Sequence, residues 1–293
     1  MIEELKKAGK IAAESLDFGK TLIKENADVK EIIEKIEAKI ISLKGLPAFP
    51  VQISINETAA HFIPSTKLML KESDLVKLDV GVHINGFIAD TAATIEVKTK
   101  DFSNIIKAAE EALNNAIKLI KPGTKICEIG RVIEENIKKY NLNSIKNLSG
   151  HSIGQYNTHA GLTIPNYDNK NNEELKNGDL IAIEPFVTNG TGFVEESKPS
   201  GVYALVEKRP VRDKNTRFIL DFIENEYQTL PFSKYWLIKK FGQFKTEFAL
   251  NQLEREKIIY SYPQLIERSK GIVSQAEHTI YVNDKSIVTT KIN

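Results

Sequence analysis

The chain has 293 residues, 41% of them hydrophobic and 27% charged, with a formal net charge of +1. That balance excludes a disordered or fibrous chain and supplies no long-range field for nucleic acid or a membrane surface. Cys127 is the only cysteine, so an internal disulfide is excluded and a small buried side chain on a helix is expected there. No apolar run approaches the roughly 18 residues a membrane span needs. The opening MIEELKKAGK is charged and helix-like rather than a signal peptide. A cytoplasmic location is expected, with the chain forming one large domain or two ordinary ones.

Ile2, Leu5, Ala8, Ile11 and Ala12 mark one face of an opening helix. A second helix starts at Asp28, with Glu31 three residues on as in a capping box. Val29, Ile32, Ile33, Ile36 and Ile40 then recur at helical spacing until Gly45 and Pro47. Val76, Leu78, Val80 and Val82 alternate with Lys77, Asp79, Gly81 and His83. Asn85-Gly86 is a two-residue hairpin signal, and 87–97 is the return strand. A third helix is expected over 103–120 and a fourth through Ile126, Ile129, Ile133 and Ile137. An apolar strand, Leu180-Ile181-Ala182-Ile183, follows Gly178-Asp179. Two helix pairs, each followed by strands, suggest an internal structural repeat.

Over 199–268 the texture changes. Eleven of the 23 aromatic residues fall between positions 218 and 262. The spacing of Phe218, Ile219, Phe222 and Ile223, and of Tyr235, Trp236 and Ile238, predicts short helices with an aromatic core of their own. A stacking platform for nucleic acid is disfavoured by the near-neutral charge. Segments 272–282 and 286–290 flank Asn283-Asp284-Lys285 as a closing hairpin.

The chemistry begins with Asp79 and Asp90. A two-residue Asn85-Gly86 loop sets Asp90 opposite Gly81, and Asp79 shares the face of Gly81. The two aspartates are then diagonal neighbours, roughly 6–8 Å apart at their side-chain roots. Such a pair repels unless one is protonated or a cation lies between them. A metal ion is the economical answer; two aspartates on a solvated strand face are the alternative. His151, in Gly150-His151-Ser152-Ile153-Gly154, is uncrowded enough to approach a metal, and equally reads as a satisfied core histidine. His159 follows eight residues on, outside any helical H-E-x-x-H pattern. Glu184 closes the apolar run before Pro185, where a carboxylate is costly unless paired. Glu277 lies inside another strand pattern. Either glutamate alone equally reads as a salt-bridged structural residue.

Together and in this order the residues resemble the pita-bread (creatinase-like) metallopeptidases. Leu78-Asp79-Val80-Gly81, Ile88-Ala89-Asp90, Gly150-His151-Ser152-Ile153-Gly154, Ala182-Ile183-Glu184-Pro185 and Gln275-Ala276-Glu277-His278-Thr279 each carry the family's local pattern. The resemblance covers nearly the whole chain. It implies an α+β fold of two pseudo-twofold halves around a central antiparallel sheet. Residues 1–198 and 269–293 would form the catalytic domain and 199–268 a helical insertion. It also implies two divalent ions drawn from Co, Mn, Fe or Zn. Asp90 and Glu277 would bridge both ions, Asp79 would serve one, and His151 and Glu184 the other. Charge counting agrees, since four carboxylates balance two divalent ions.

Only 78 residues precede Asp79, too few for the large N-terminal domain of aminopeptidase P and prolidase relatives. The long segment between Glu184 and Glu277 departs from the compact type 1 methionine aminopeptidases. With Phe49-Pro50, Ala60-His61 and Asn157-Thr158-His159-Ala160-Gly161, the chain is similar to the type 2 enzymes in their minimal, archaeal-like form. That implies excision of the initiator methionine from nascent proteins with a small second residue, through dinuclear-metal hydroxide attack on the first peptide bond. It implies His61, His159 and Glu184 as catalytic residues, and His61, His159, Phe49, Thr158 and Tyr262 as substrate-binding residues. It also implies alkylation at His61 by fumagillin-like epoxides. His83 and His278 are expected to be structural. Some relatives carry a further pocket histidine after the fourth ligand, but this chain reads Thr191-Gly192-Phe193-Val194-Glu195-Glu196, so the rim differs. Nascent polypeptides are the expected partners and the ribosome a candidate contact. A monomer is expected, with neither membrane nor specific nucleic acid as a partner. Two other readings stay open: a non-catalytic pita-bread protein binding partners or RNA, and a prolidase- or aminopeptidase P-like peptidase.

Overall fold

The structure is a computed structural model and describes residues 1–291, so positions 292 and 293 of the expected catalytic domain lie outside the described residues. Helices α1 (Ile2–Leu22) and α2 (Val29–Ser42) lead into the short strands β1 (Leu46–Pro47), β2 (Gln52–Ile55) and β3 (Thr58–Ala60). The hairpin of β4 (Leu75–Ile84) and β5 (Phe87–Glu96) follows. Helices α3 (Ser103–Ile117) and α4 (Ile126–Lys138) precede β6 (Asn143–Ser144), β7 (Ser149–Ser152), β8 (Thr163–Pro165), β9 (Leu180–Ile183) and β10 (Phe186–Thr188). The long strand β11 (Val194–Leu205) leads to α5 (Lys214–Tyr227), β12 (Phe232–Ser233), α6 (Lys234–Phe241) and α7 (Gln243–Arg255). β13 (Ile259–Glu267) returns alongside β11, and β14 (Val273–Gln275), β15 (Glu277–Tyr281) and β16 (Ile287–Val288) finish the described chain.

The main sheet runs β1-β4-β5-β15-β9-β7-β8, with β2 also on β4 and β16 also on β15, and these pairings are antiparallel. The hairpin has the register expected from its turn: Ile84 pairs with Phe87 and Gly81 with Asp90. Asn85 and Gly86 both have positive φ, at 51° and 82°, the geometry a tight two-residue loop requires.

Alternation then separates two faces of the sheet. Leu78, Val80 and Val82 turn to one side and pack with α1 and α2 in one buried cluster. Ile181, Ile183, Ile280 and Val282 pack with α3 and α4 in another. Burial, not helix propensity, holds these helices: α4 buries Ile126, Ile129, Ile133 and Ile137 completely. Each buried Ile is worth about 1.5–3 kcal/mol, against under about 0.7 kcal/mol by which it disfavours a helical position. Cys127 is buried on this helix. The two helix pairs cover one side of the sheet and leave Asp79, Gly81 and their cross-strand neighbours on the other.

Several local expectations change. The capping box at α2 is half formed. Asp28 accepts from the Lys30 N–H, while Glu31 turns to the Lys35 ammonium instead of back to the cap. The third helix stops at Ile117 rather than 120. The expected strand over 272–282 is interrupted at Ala276, between β14 and β15. The 199–268 segment is not wholly helical. Its three helices stand between the paired strands β11 and β13, whose register shifts around Pro199, a residue with no N–H for the ladder. The helices do share a buried cluster of their own, including Ile219, Ile223, Phe232, Leu237 and Leu250. Aromatic pairs Phe222–Phe241 and Tyr227–Phe232, each with ring centroids 5.2 Å apart, extend it.

Candidate metal centre and substrate cavity

Sheet order and register assemble the five expected ligands. Asp79 is on β4, Asp90 on β5, Glu277 on β15, Glu184 directly after β9 and His151 on β7, which are five consecutive strands. Gly81 faces Asp90, Ala92 faces both Asp79 and Glu277, and His151 faces Ala182. Cross-strand partners share a face, as do residues two apart on a strand. β14 pairs with β10 in the same register in which β15 pairs with β9: Phe186 faces Gln275 and Ile183 faces His278. Glu184 and Glu277 therefore stand opposite each other beside Pro185, which has no N–H for the ladder and only accepts from the Ala276 N–H, at 3.3 Å. All five side chains project from the side of the sheet away from the helices.

They line a cavity of about 310 Å³ that Phe49, His61, Thr158, His159 and Tyr262 also border. Ligand atoms of Asp90, His151 and Glu277 lie within 4.8 Å of one another. Glu184 Oε1 is 3.8 Å from His151 Nε2, and Asp79 adjoins Asp90 along the hairpin. His83 and His278 do not line the cavity. The His83 Nδ1 accepts from the Gly86 N–H at 3.1 Å, and His278 Nδ1 lies 2.8 Å from Thr290 Oγ1.

Among the described residues, no Lys or Arg borders this cavity. Two like charges 4 Å apart repel by about 4 kcal/mol at an effective dielectric near 20, so four carboxylates here need either protons or a foreign cation. Without the cation they hold protons. Burial pushes Asp79 up to about 7. Burial, and then the charges of Asp79 and Glu184, push Asp90 well above the usual carboxylate range. Burial does the same to Glu184 and Glu277. It lowers His151 to about 3, leaving a neutral imidazole with a free lone pair. Among the described residues no other group donates to the buried Asp79 Oδ1 and Asp90 Oδ1, so only a proton shared between the two or a cation satisfies them. Orphaned carboxylate oxygens beside a neutral imidazole are a donor set that fits divalent metal.

The supporting residues were mostly invisible in the sequence. Gln275, buried between the two glutamates, donates from Nε2 to Glu184 Oε2 at 3.3 Å and to Glu277 Oε2 at 3.5 Å. Its position two before Glu277 was the available signal. Gln52 faces Asp79 and accepts the His61 N–H at 2.7 Å. It holds His61 at φ 59°, left-handed backbone that a non-glycine residue adopts only when its surroundings enforce it. A Cβ at Gly81 would fall 2.2 Å from the Phe49 ring, so glycine there admits Phe49 to the site. The loop bearing His159 is moored on the hairpin tip. Tyr156 N–H donates to Gly86 O at 2.8 Å, Gln155 Nε2 donates to Asn85 O at 2.9 Å, and Thr229 Oγ1 donates to Tyr156 O. The His159 and His151 rings meet edge to face with centroids 4.2 Å apart. Tyr262, on β13, meets His61 the same way at 5.3 Å. The 199–268 segment thus forms one wall of the cavity, where Val202 and Pro231 join Tyr262.

Comparison with known proteins agrees with this geometry. The sequence pattern of metallopeptidase family M24 matches residues 3–230. The methionine aminopeptidase of Thermococcus onnurineus is 46% identical over 291 residues, which cover 98% of each chain. The crystal structure of methionine aminopeptidase from Rickettsia prowazekii superposes with a TM-score of 0.72 at 24% identity, covering 99% of this chain and 96% of that one. Prolidase from Pyrococcus furiosus superposes with a TM-score of 0.64 at 20% identity, covering all of this chain but 64% of that one. These two likenesses show the shared pita-bread fold. The chain belongs to metallopeptidase family M24 and, within it, to the methionine aminopeptidases.

Proposed function

We propose that this aminopeptidase excises the initiator methionine from nascent chains whose second residue is small, using two divalent ions. The observation that carries the reading is one donor on, or directly after, each of five consecutive strands around a cavity that no Lys or Arg among the described residues borders. Asp79, Asp90, His151, Glu184 and Glu277 would hold the two ions. Oxygen-rich ligation with one imidazole suits Co, Mn, Fe or Zn. Such ions, when bound, supply Lewis acidity and a water that deprotonates near neutral pH.

The chain's own residues do the rest. Phe49, Thr158 and Tyr262, with His61, wall the space for the methionine side chain. The free N-terminal amine would approach the carboxylate cluster. His159, at the exposed rim, donates to the scissile carbonyl oxygen as it gains charge. Glu184 passes a proton to the departing amine. We assign 199–268 as an insertion subdomain on the 1–198 and 269–293 catalytic domain, a division its separate buried cluster supports. A monomeric state, a cytoplasmic location and contact with the ribosome belong to the same proposal. Among the described residues, no helix is long and apolar enough to cross a membrane.

His159→Ala is expected to retain bound metal while kcat falls roughly ten- to a thousandfold, the range for a lost oxyanion donor. An unchanged kcat in a folded variant removes His159 from the mechanism. Substrate choice tests the whole reading. Met-Ala-Ser should be cleaved efficiently, Met-Leu-Ser poorly and Ala-Pro not at all, since a bulky second residue displaces the scissile bond and misplacement costs rate steeply. Equal rates on Met-Ala-Ser and Met-Leu-Ser exclude the initiator-methionine role.

A further inference from the structure

The catalytic cavity stays open on the side of β8. A second depression, of about 500 Å³, adjoins it, and Gly161, Leu162 and Thr163 border both. Asn169, Asn171, Glu173, Glu174 and Asp179 line the rest of this groove, with Lys176 the one cation among its lining residues. Among the described residues, none of these carboxylates forms a salt bridge with a Lys or Arg.

β8 is the end strand of the nine-stranded sheet. The Ser152 N–H donates to Leu162 O, and the next pair along the ladder is His151 with Thr163. Antiparallel pairs alternate between hydrogen-bonded and non-hydrogen-bonded, so the His151–Thr163 pair is of the second kind. The backbone N–H and C=O of Thr163 consequently point away from β7. An unpaired strand edge is a template for one more extended chain. A chain added there would lie two ladder spacings, about 10 Å, from β7, and extended chain advances about 3.3 Å per residue. Roughly three residues would therefore lead from the ligand strand to this edge.

We infer that the groove receives the substrate polypeptide beyond its second residue. The chain runs extended along Thr163, with a Lys or Arg favoured at about the fourth to sixth positions. The inference rests on the aminopeptidase reading above. An enzyme that encloses the first residue of a long chain must pass the remainder outward, and this groove is continuous with the cavity. Its charge names the preference: three carboxylates against one ammonium attract a basic side chain.

The test uses the metal-loaded enzyme and three peptides: Met-Ala-Ser, Met-Ala-Ser-Gly-Lys-Lys and Met-Ala-Ser-Gly-Glu-Glu. The lysine peptide should exceed the glutamate peptide in kcat/KM by about fivefold, through KM, as expected for one or two exposed ion pairs. That ratio should shrink toward one as added salt shortens the Debye length to about 3 Å near 1 M. The Glu173→Gln, Glu174→Gln double variant should also collapse it. N-methylation of the lysine peptide at alternate backbone positions from residue 3 should raise KM, since it removes donors to the edge. Equal kcat/KM for both hexapeptides at low salt, or a ratio indifferent to the double variant, overturns the inference. Failure to cleave Met-Ala-Ser itself would instead defeat the aminopeptidase reading.

Discussion

Asp90→Asn is expected to abolish hydrolysis of Met-Ala-Ser, by at least about a thousandfold, and to lower the metal content of the purified protein measured by elemental analysis. Asp90 occupies the middle of the donor set, buried, with an oxygen that no N–H among the described residues reaches. Losing its charge removes one of the four that would balance the two divalent ions proposed for this site. Metal assistance is worth several kcal/mol of transition-state stabilisation, which sets the scale of the loss. The metal-free protein should respond in the opposite direction. Asp79 is held up to about 7 by burial, whereas an aspartate in an unfolded chain titrates near 3.9. Between those values the folded state binds more protons than the unfolded state, so metal-free stability falls as pH rises from about 4 to 7. Asparagine at 90 relieves part of the repulsion behind that fall. Chelated Asp90→Asn should therefore melt higher than chelated wild type at pH 8. A lower melting point there, or full activity in the chelated wild type, contradicts the metal-site reading.

The hairpin half of this site is legible from local sequence because Asn85-Gly86 admits one register, and that register alone brings Asp79 and Asp90 together. The other half is not local. Glu184 meets Glu277 only because β9 and β15 pair across the whole 199–268 segment, with the ladder broken at Pro185 and Ala276. No turn signal encodes that pairing; only a resemblance across five segments anticipates it. The same holds for β11 and β13. Val194-Glu195-Glu196-Ser197-Lys198-Pro199 carries no clean alternation, since that stretch is exposed from Glu195 to Pro199, so a strand pattern is absent where the ladder runs. Gln52 is equally silent, and Gln275 is signalled only by its place two before Glu277. An uncharged amide carries little pattern of its own, and its value lies in the atoms it reaches: the His61 N–H in one case and two carboxylates proposed as metal ligands in the other.

His61 should be alkylated once, and completely, by a fumagillin-like epoxide, with activity falling to background in step with labelling. The carbonyl of Pro263 lies 3.1 Å from His61 Nδ1. A carbonyl only accepts, so Nδ1 carries the proton and Nε2 keeps its lone pair. Burial lowers the ring's pKa to about 4, so the imidazole is neutral across the working pH range. The Gln52 amide oxygen at its backbone and the Tyr262 ring at its edge fix where Nε2 stands in the cavity. A neutral, fixed imidazole beside the ligand cluster is a ready nucleophile. Its lone pair forms the N–C bond as the epoxide C–O bond opens, and the freed oxygen takes a proton from solvent. Because the ring does not titrate above about 5, the labelling rate should be flat from pH 5 to 9, whereas an ordinary histidine would gain reactivity through about 6.5. Intact mass and peptide mapping should find one adduct, on His61, and His61→Asn should bind metal yet resist it. Label on His159 or on surface lysines, or a rate that climbs between pH 5 and 7, would show that His61 is neither held nor placed as described.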